Sequence, residues 1–214
     1  MDFIDSKIDD YARSFTTPET EVMQELNRDT FLNKLQPRML SGHMQGAFLK
    51  MISHMIQPKC ILEIGTYTGY SAIALSSGLQ EGGKLITLEF NEEHETMAKS
   101  YFKKAGIEDK IEMHLGKAAD IIPTLDQSFD LVFIDADKSN YSLYYDLVFD
   151  SVPVGGWIIA DNVLWSGKVL EDDDELDEDT LAIKQFNKKV NADDRVENMI
   201  LPFRDGLLLI RKIK

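Results

Sequence analysis

A single cysteine, Cys60, stands among the 214 residues, so no intrachain disulfide can form and a cysteine metal cluster is excluded. A reducing, cytoplasmic setting is the compartment this fits. No stretch approaches the roughly 18 to 20 consecutive apolar residues of a membrane helix, and no membrane association is expected. The start, MDFIDSKIDDYARSF, has neither the basic head nor the apolar run of a secretory signal. Positive charge is scarce as well. Lys and Arg number 23 against 37 Asp and Glu, a formal charge of −14 that opposes gripping a phosphate backbone, so a small-molecule partner is expected rather than nucleic acid. The four histidines, His43, His54, His94 and His114, have no ligand spacing and read as structural or surface residues.

What is present is the balance of an ordinary globular chain, 43% hydrophobic and 28% charged, at a length that one domain accounts for. No internal repeat or low-complexity linker divides it. Residues 1–56 read as a helical N-terminal extension: Phe3, Ile4, Ile8 and Tyr11, then Val22, Leu26 and Leu32, recur at helical spacing. A third helix is predicted from Ser41 to Ile56, with Met44, Phe48, Met51, Ile52 and Met55 as an apolar stripe for the core or a subunit interface.

From residue 57 onward the texture becomes short apolar runs alternating with amphipathic stretches, the signature of βαβ units around a parallel sheet. The runs are Cys60–Ile64, Leu85–Phe90, Ile111–Leu115, Leu131–Ile134 and Trp157–Ala160. Two more, Val196–Leu201 and Leu207–Ile213, are joined by a link too short for a parallel crossover and are predicted to pair as a hairpin. The fold class is therefore α/β, doubly wound, with a mostly parallel sheet whose ligands bind beyond the carboxyl ends of the strands.

Those strand ends carry the chemistry. The first finishes as Leu62-Glu63-Ile64-Gly65-Thr66-Tyr67-Thr68-Gly69-Tyr70-Ser71. Its two glycines suit either a tight turn or a close backbone approach to a ligand, and the turn matches neither a dinucleotide nor a triphosphate motif. Glu63, a carboxylate within an apolar strand, needs a partner, either a ligand or a structural pair. Glu89 ends the second strand ahead of Asn91, a candidate helix cap, and an acid there can accept ribose hydroxyls or simply face solvent at a helix start. The fourth strand leads into Asp135 and the fifth into Asp161-Asn162. Each is at home in a turn, yet together they form a set of hard oxygen donors suited to Mg²⁺. Lys138 opposes the macrodipole at the start of a helix, which points to a local partner or a chemical task. Tyr141 and Trp165 are candidate aromatic walls for a planar substrate. The acidic run Glu171–Glu175 with Asp177, Glu178 and Asp179 reads as a solvated part of a cover spanning Leu164–Thr180.

Three of these segments, LEIGTYTGYS at 62–71, FIDADKSNY at 133–141 and GGWIIADNVLWSG at 155–167, resemble in order and spacing the cation-dependent O-methyltransferase family of catechol and caffeoyl-CoA O-methyltransferases. LPFRDGLLL near the end is a weaker echo. The resemblance implies a Rossmann-like S-adenosylmethionine (SAM) fold with seven strands, the last antiparallel. It implies that Glu63, Gly65, Tyr67 and Ser71 line the methionine end of SAM, that Glu89 holds the ribose, and that Gly116, Ala118 and Asp135 complete the cofactor site. Asp135, Asp161 and Asn162 would bind the divalent cation, Lys138 would be the general base, Trp165 and Tyr141 would meet the substrate, and a homodimer would form. Some bacterial members methylate a hydroxylated uridine in tRNA, but the basic groups here are only Lys103-Lys104 and Arg211-Lys212-Ile213-Lys214. A non-catalytic SAM-binding protein is the other alternative. This chain departs from the family at Arg38–His43, unlike the threonine-rich plant version. It departs again at Lys117-Ala118-Ala119, which lacks the animal enzyme's adenine-contacting serine, and at Pro202–Asp205, which lacks its substrate-binding glutamate.

Overall fold

Apolar runs without an alternating polar face require cover on both sides, and helices supply it. The structure, a computed structural model, describes residues 4–172 and 176–214. Phe3 of the first stripe and residues 173–175 of the acidic run lie outside the described residues. Strands β1 (Cys60–Ile64), β2 (Lys84–Glu89), β3 (Ile111–Leu115), β4 (Leu131–Ile134), β5 (Trp157–Asp161), β6 (Val196–Leu201) and β7 (Leu207–Lys212) form one sheet in the order β3-β2-β1-β4-β5-β7-β6. β1 to β5 are parallel, and β7 runs antiparallel between β5 and β6. The chain turns from one side of β1 to the other between β3 and β4. The crevice therefore lies at the carboxyl ends of β1 and β4.

Helices α1 (Ser6–Ser14), α2 (Glu21–Asn33) and α3 (Gly42–Ile56) precede the sheet, followed by α4 (Tyr70–Ser76), α5 (Glu92–Lys104), α6 (Ala118–Ile121), α7 (Tyr141–Phe149) and α8 (Glu178–Asn191). Side-chain alternation divides the core into two layers. Leu62, Ile64, Val132, Ile134 and Ile158 face Tyr145, Phe149 and Phe186 of α7 and α8. On the other side Ile61, Leu131, Phe133 and Ile159 share a cluster with Leu26, Leu49, Leu75 and Phe102. Glu63 belongs by alternation to this second face.

Two expectations for the N-terminal helices change. The fully buried face of α3 is Gln45, Gly46, Leu49 and Ser53; of the predicted stripe Phe48 and Ile52 pack against the core, while Met51 and Met55 stay 63% and 77% exposed. Small residues explain the rotation. A Cβ on Gly46 would stand 2.6 Å from the Tyr70 ring, and one on Gly78 would stand 2.2 Å from the Ser53 backbone, so α3 meets α4 along its small side. In α2, Met23, Leu26 and Thr30 are buried while Leu32 is exposed. No helix among the described residues is long and apolar enough to cross a membrane.

Candidate active site

The turn after β1 is built by close backbone packing. Gly65 has φ +102°, and a Cβ there would lie 1.9 Å from the carbonyl oxygen of Asp135, while Gly69, at φ +92°, would press on the Phe102 ring at 2.6 Å. Both glycines thus serve contacts within the protein, joining the ends of β1 and β4 and seating α5, besides opening the crevice. A cavity of about 860 Å³ lies above them, and Gly65, Thr66, Tyr67 and Ser71 line it.

Beneath Ser71, Glu63 is completely buried. The Thr87 hydroxyl donates to its Oε2 at 2.6 Å, and Thr87 is itself 2.5 Å from the Thr66 hydroxyl. Oε1 has no partner among the described residues. Burial pushes the carboxyl up to about 8, partly offset by the Ser71 and Thr87 hydroxyls, with Asp135 and Glu89 adding to the rise. A buried carboxyl oxygen without a donor is costly, and Glu63, expected to line the methionine end of a cofactor, does not itself line the cavity, whereas its neighbours Thr66 and Ser71 do.

Glu89 closes β2 at the cavity wall. Its Oε2 accepts the Tyr67 N–H at 2.7 Å, its Oε1 accepts the Asn91 N–H at 2.8 Å, and His94 Nδ1 stands 3.2 Å from Oε1. Asn91 caps α5 by accepting from the Glu93 N–H. The His94 ring meets Tyr67 edge-on at 4.8 Å and lines the cavity, where its lack of ligand spacing had marked it only as a structural or surface residue. Gly116 and Ala118 line the same side.

Across the crevice the hard oxygens converge. Asp135, Asp161 and Asn162 all line the cavity. Asp161 is 3% exposed; Oδ1 accepts the Asn162 N–H at 2.7 Å and Oδ2 the Gln45 side-chain amide at 2.6 Å. Burial and then the neighbouring Asp135 push Asp161 up to about 7, against Lys138, Gln45 and Arg204, which lower it. Asn162 sits at φ +61°, a left-handed conformation that Asn tolerates. Its side-chain amide makes no hydrogen bond among the described residues. Two crowded carboxylates and a free amide oxygen suit a small divalent cation, which relieves the repulsion that raises Asp161. No group of three or more His, Cys, Asp or Glu gathers for a metal among the described residues, so any such site rests on these two acids and the amide.

Lys138 is buried beside them. Its Nζ donates to the Tyr141 hydroxyl at 2.5 Å and to Asp135 Oδ1 at 3.2 Å, with the Trp165 ring centre 5.8 Å away. Asp137 accepts from Asn140 and from the Tyr144 hydroxyl. Tyr141 is fully buried against Phe186, its hydroxyl 3.0 Å from the Asp161 carbonyl. It lies under the site and holds Lys138, and the α7 tyrosine that lines the cavity is Tyr144. The two lie on one side of α7 a turn apart: Tyr141 packs edge-on against Phe186 of α8, while Tyr144 donates its hydroxyl to Asp137 at the cavity wall.

Trp165 lines both the cavity and an adjoining groove of about 530 Å³ formed with Leu35, Gln36, Arg38, Met39 and Asn162. The segment before α3, whose sequence signals only a departure from the family pattern, is thus part of the site. Of the cover, Trp165 and Asp179 reach the cavity, while Asp177 caps α8 through the Thr180 N–H and pairs with Lys168 at 2.6 Å. Elsewhere Lys104 pairs with Glu25, Arg211 with Glu197 and Lys214 with Asp194, so these basic groups are matched by acids.

Comparison with known proteins agrees with this layout. A family model described as O-methyltransferase matches residues 13–213. The caffeoyl-CoA O-methyltransferase of Medicago sativa is 35% identical over 210 residues, covering 92% of this chain and 83% of that one. The O-methyltransferase TomG from Streptomyces achromogenes, solved in complex with SAM, superposes with a TM-score of 0.90 at 29% identity, covering 97% of this chain and 96% of that one. The O-methyltransferase from Bacillus cereus, solved in complex with SAH, gives 0.89 at 30% identity over 96% and 97%.

Proposed function

The chain belongs to the O-methyltransferase family, and from that premise we propose that it moves the methyl group of SAM, with the help of a divalent cation, onto a hydroxyl oxygen of a small vicinal dihydroxy aromatic. The observation that carries this is the meeting of Asp135, Asp161, Asn162 and Lys138 on the wall of the cavity that also holds Ser71 and Glu89. When bound, SAM supplies an electrophilic methyl on a sulfonium sulfur, and a hard cation such as Mg²⁺ supplies charge that eases deprotonation of a hydroxyl.

The protein's own groups do the rest. Glu63, Gly65, Tyr67 and Ser71 take the methionine end, Glu89 the ribose, and Gly116 and Ala118 the adenine side. Asp135, Asp161 and Asn162 would hold the cation, and Asp135 would also belong to the cofactor site. Lys138 would take the acceptor's hydroxyl proton, leaving the oxygen free to accept the methyl group that SAM supplies when bound. Tyr141 fixes the lysine, and Trp165 provides a wall for an aromatic acceptor. Because anion meets cation, charge is neutralised along the path, and the residues contribute chiefly by orientation.

Chelator-treated protein is expected to bind SAM in calorimetry yet leave a dihydroxy aromatic unmethylated by mass detection, with Mg²⁺ restoring turnover. Full activity without metal would reject the reading. A homodimer belongs to the same proposal, since Met51, Met55 and Leu35 are exposed and α1 buries none of its residues. Sedimentation is expected to show a dimer that Met55→Glu shifts toward monomer, and a wild-type monomer at micromolar concentration would remove it.

A further inference from the structure

Asp161 is gripped by a side chain that no sequence motif includes. Gln45, on α3, is 1% exposed, and its Nε2 donates to Asp161 Oδ2 at 2.6 Å. Its Oε1 accepts from Arg204 Nη1 at 2.7 Å. Arg204 stands on the turn between β6 and β7 with φ +52°, and its other terminal nitrogen reaches the Leu40 carbonyl at 3.5 Å. We propose that Gln45 is a positioning residue for Asp161, and that Arg204 sets which end of the Gln45 amide faces that carboxylate.

Donors and acceptors decide the orientation. A guanidinium only donates and an ionised carboxylate only accepts, so an amide between them has one satisfactory orientation, carbonyl toward Arg204 and NH₂ toward Asp161. The reversed amide would set donor against donor and acceptor against acceptor. With the Asn162 N–H on Oδ1 and Gln45 on Oδ2, both oxygens of Asp161 are held and its rotation is stopped. A carboxylate offers about four lone-pair positions, so about two remain for the cavity. Outer partners of this sort orient a ligand and set metal affinity. The inference rests on the cation site proposed above and adds what aims one of its ligands.

The test uses the full-length protein, Mn²⁺ binding read from the free-ion resonance signal, and SAM binding by calorimetry. Gln45→Met keeps length and volume but loses the donor. The Mn²⁺ dissociation constant is expected to rise about 10- to 100-fold, while SAM affinity stays within about twofold and turnover at saturating Mn²⁺ is largely kept. Unchanged Mn²⁺ affinity, or an equal loss of SAM binding, would overturn the assignment in favour of a plain strut.

Arg204→Glu, at an exposed side chain, is the second variant. An acceptor there obliges the amide to reverse, so Mn²⁺ is expected to bind about threefold or more weakly even though the change adds negative charge near the site. In the Gln45→Met background the same change has no amide to turn, and is expected to leave Mn²⁺ binding unchanged or tighten it. Tightening in the wild-type background would show that Arg204 acts only as bulk charge and would sink the relay. Absence of Mn²⁺ binding by the wild-type protein would defeat the cation reading and this one with it. Normal wild-type binding with an unaffected Gln45→Met defeats this one alone.

Discussion

Replacing Glu63 by Gln tests the electrostatics of the site in a way that needs no substrate. In the folded protein this carboxyl is pushed from 4.5 up to about 8, mainly because it is completely buried. The raised value means the folded state holds a proton that the unfolded state releases. The associated stability is complete below about pH 4.5 and is lost as pH climbs through about 8. At about 1.4 kcal/mol per tenfold change in proton affinity, the loss across that window is about 5 kcal/mol. For a chain of this size that corresponds to roughly 10 to 20 °C in melting temperature. The substituted amide cannot ionise, so Glu63→Gln is expected to melt close to wild type at pH 5 and well above it at pH 8. Asp161, also raised, contributes a fall of the same sign between 3.8 and about 7 in both proteins, so the difference between the two curves isolates Glu63. The measurement is thermal or urea unfolding of the ligand-free, chelator-treated proteins from pH 5 to 8. The same variant is expected to bind SAM about tenfold or more weakly, because a charge-assisted contact to the methionine end is lost. Parallel curves for the two proteins would mean that Glu63 titrates in both states alike and would refute the account of its burial.

Lys138→Met is expected to lower single-turnover rates by about 10² to 10⁴, the range for a lost acid-base group, with SAM affinity unchanged in calorimetry; an unaltered rate would take Lys138 out of the chemistry. Gly65→Ala sets a Cβ 1.9 Å from a backbone oxygen at φ +102°. Its cost is expected to exceed about 4 kcal/mol in unfolding experiments. Gly82→Ala, also left-handed at φ +72° but with nothing within 4 Å, is the control and is expected to cost only about 1 to 2 kcal/mol. Equal losses at the two glycines would show that backbone conformation alone, not the contact with Asp135, makes Gly65 necessary.

Strand identity was legible because a strand covered on both faces has to be largely apolar, and the five parallel runs were located to within one residue at either end. The small shifts have local causes. Phe90 lies just past β2 and is 72% exposed, whereas Asp161 closes β5 as its last paired residue. The strand-end segments were equally legible, since a turn that must approach a neighbouring backbone admits few residues, as Gly65 demonstrates. On α3 the apolar spacing, which left core and subunit interface open, gave only part of the core face, since Phe48 and Ile52 pack on the core while Met51 and Met55 do not. Periodicity reports where large apolar side chains lie, but the approach of α4 follows the small residues Gly46 and Ser53, and the methionines are left outside.

The identity of the strands, the helical extension and the site-bearing turns were thus written in local patterns, each settled by residues a few positions apart, whereas the order of the strands in the sheet was not. Which side chains join those strand-end residues from elsewhere in the chain was decided by the tertiary structure alone. His94 joins Glu89, Tyr141 withdraws beneath Lys138 while Tyr144 comes forward, and Gln45 reaches Asp161 across 116 positions and Arg204 across 159. Backbone geometry repeats over a turn or a pleat and leaves its period in the sequence. A hydrogen bond between distant segments depends on the packing of everything between them, and that leaves no spacing to read.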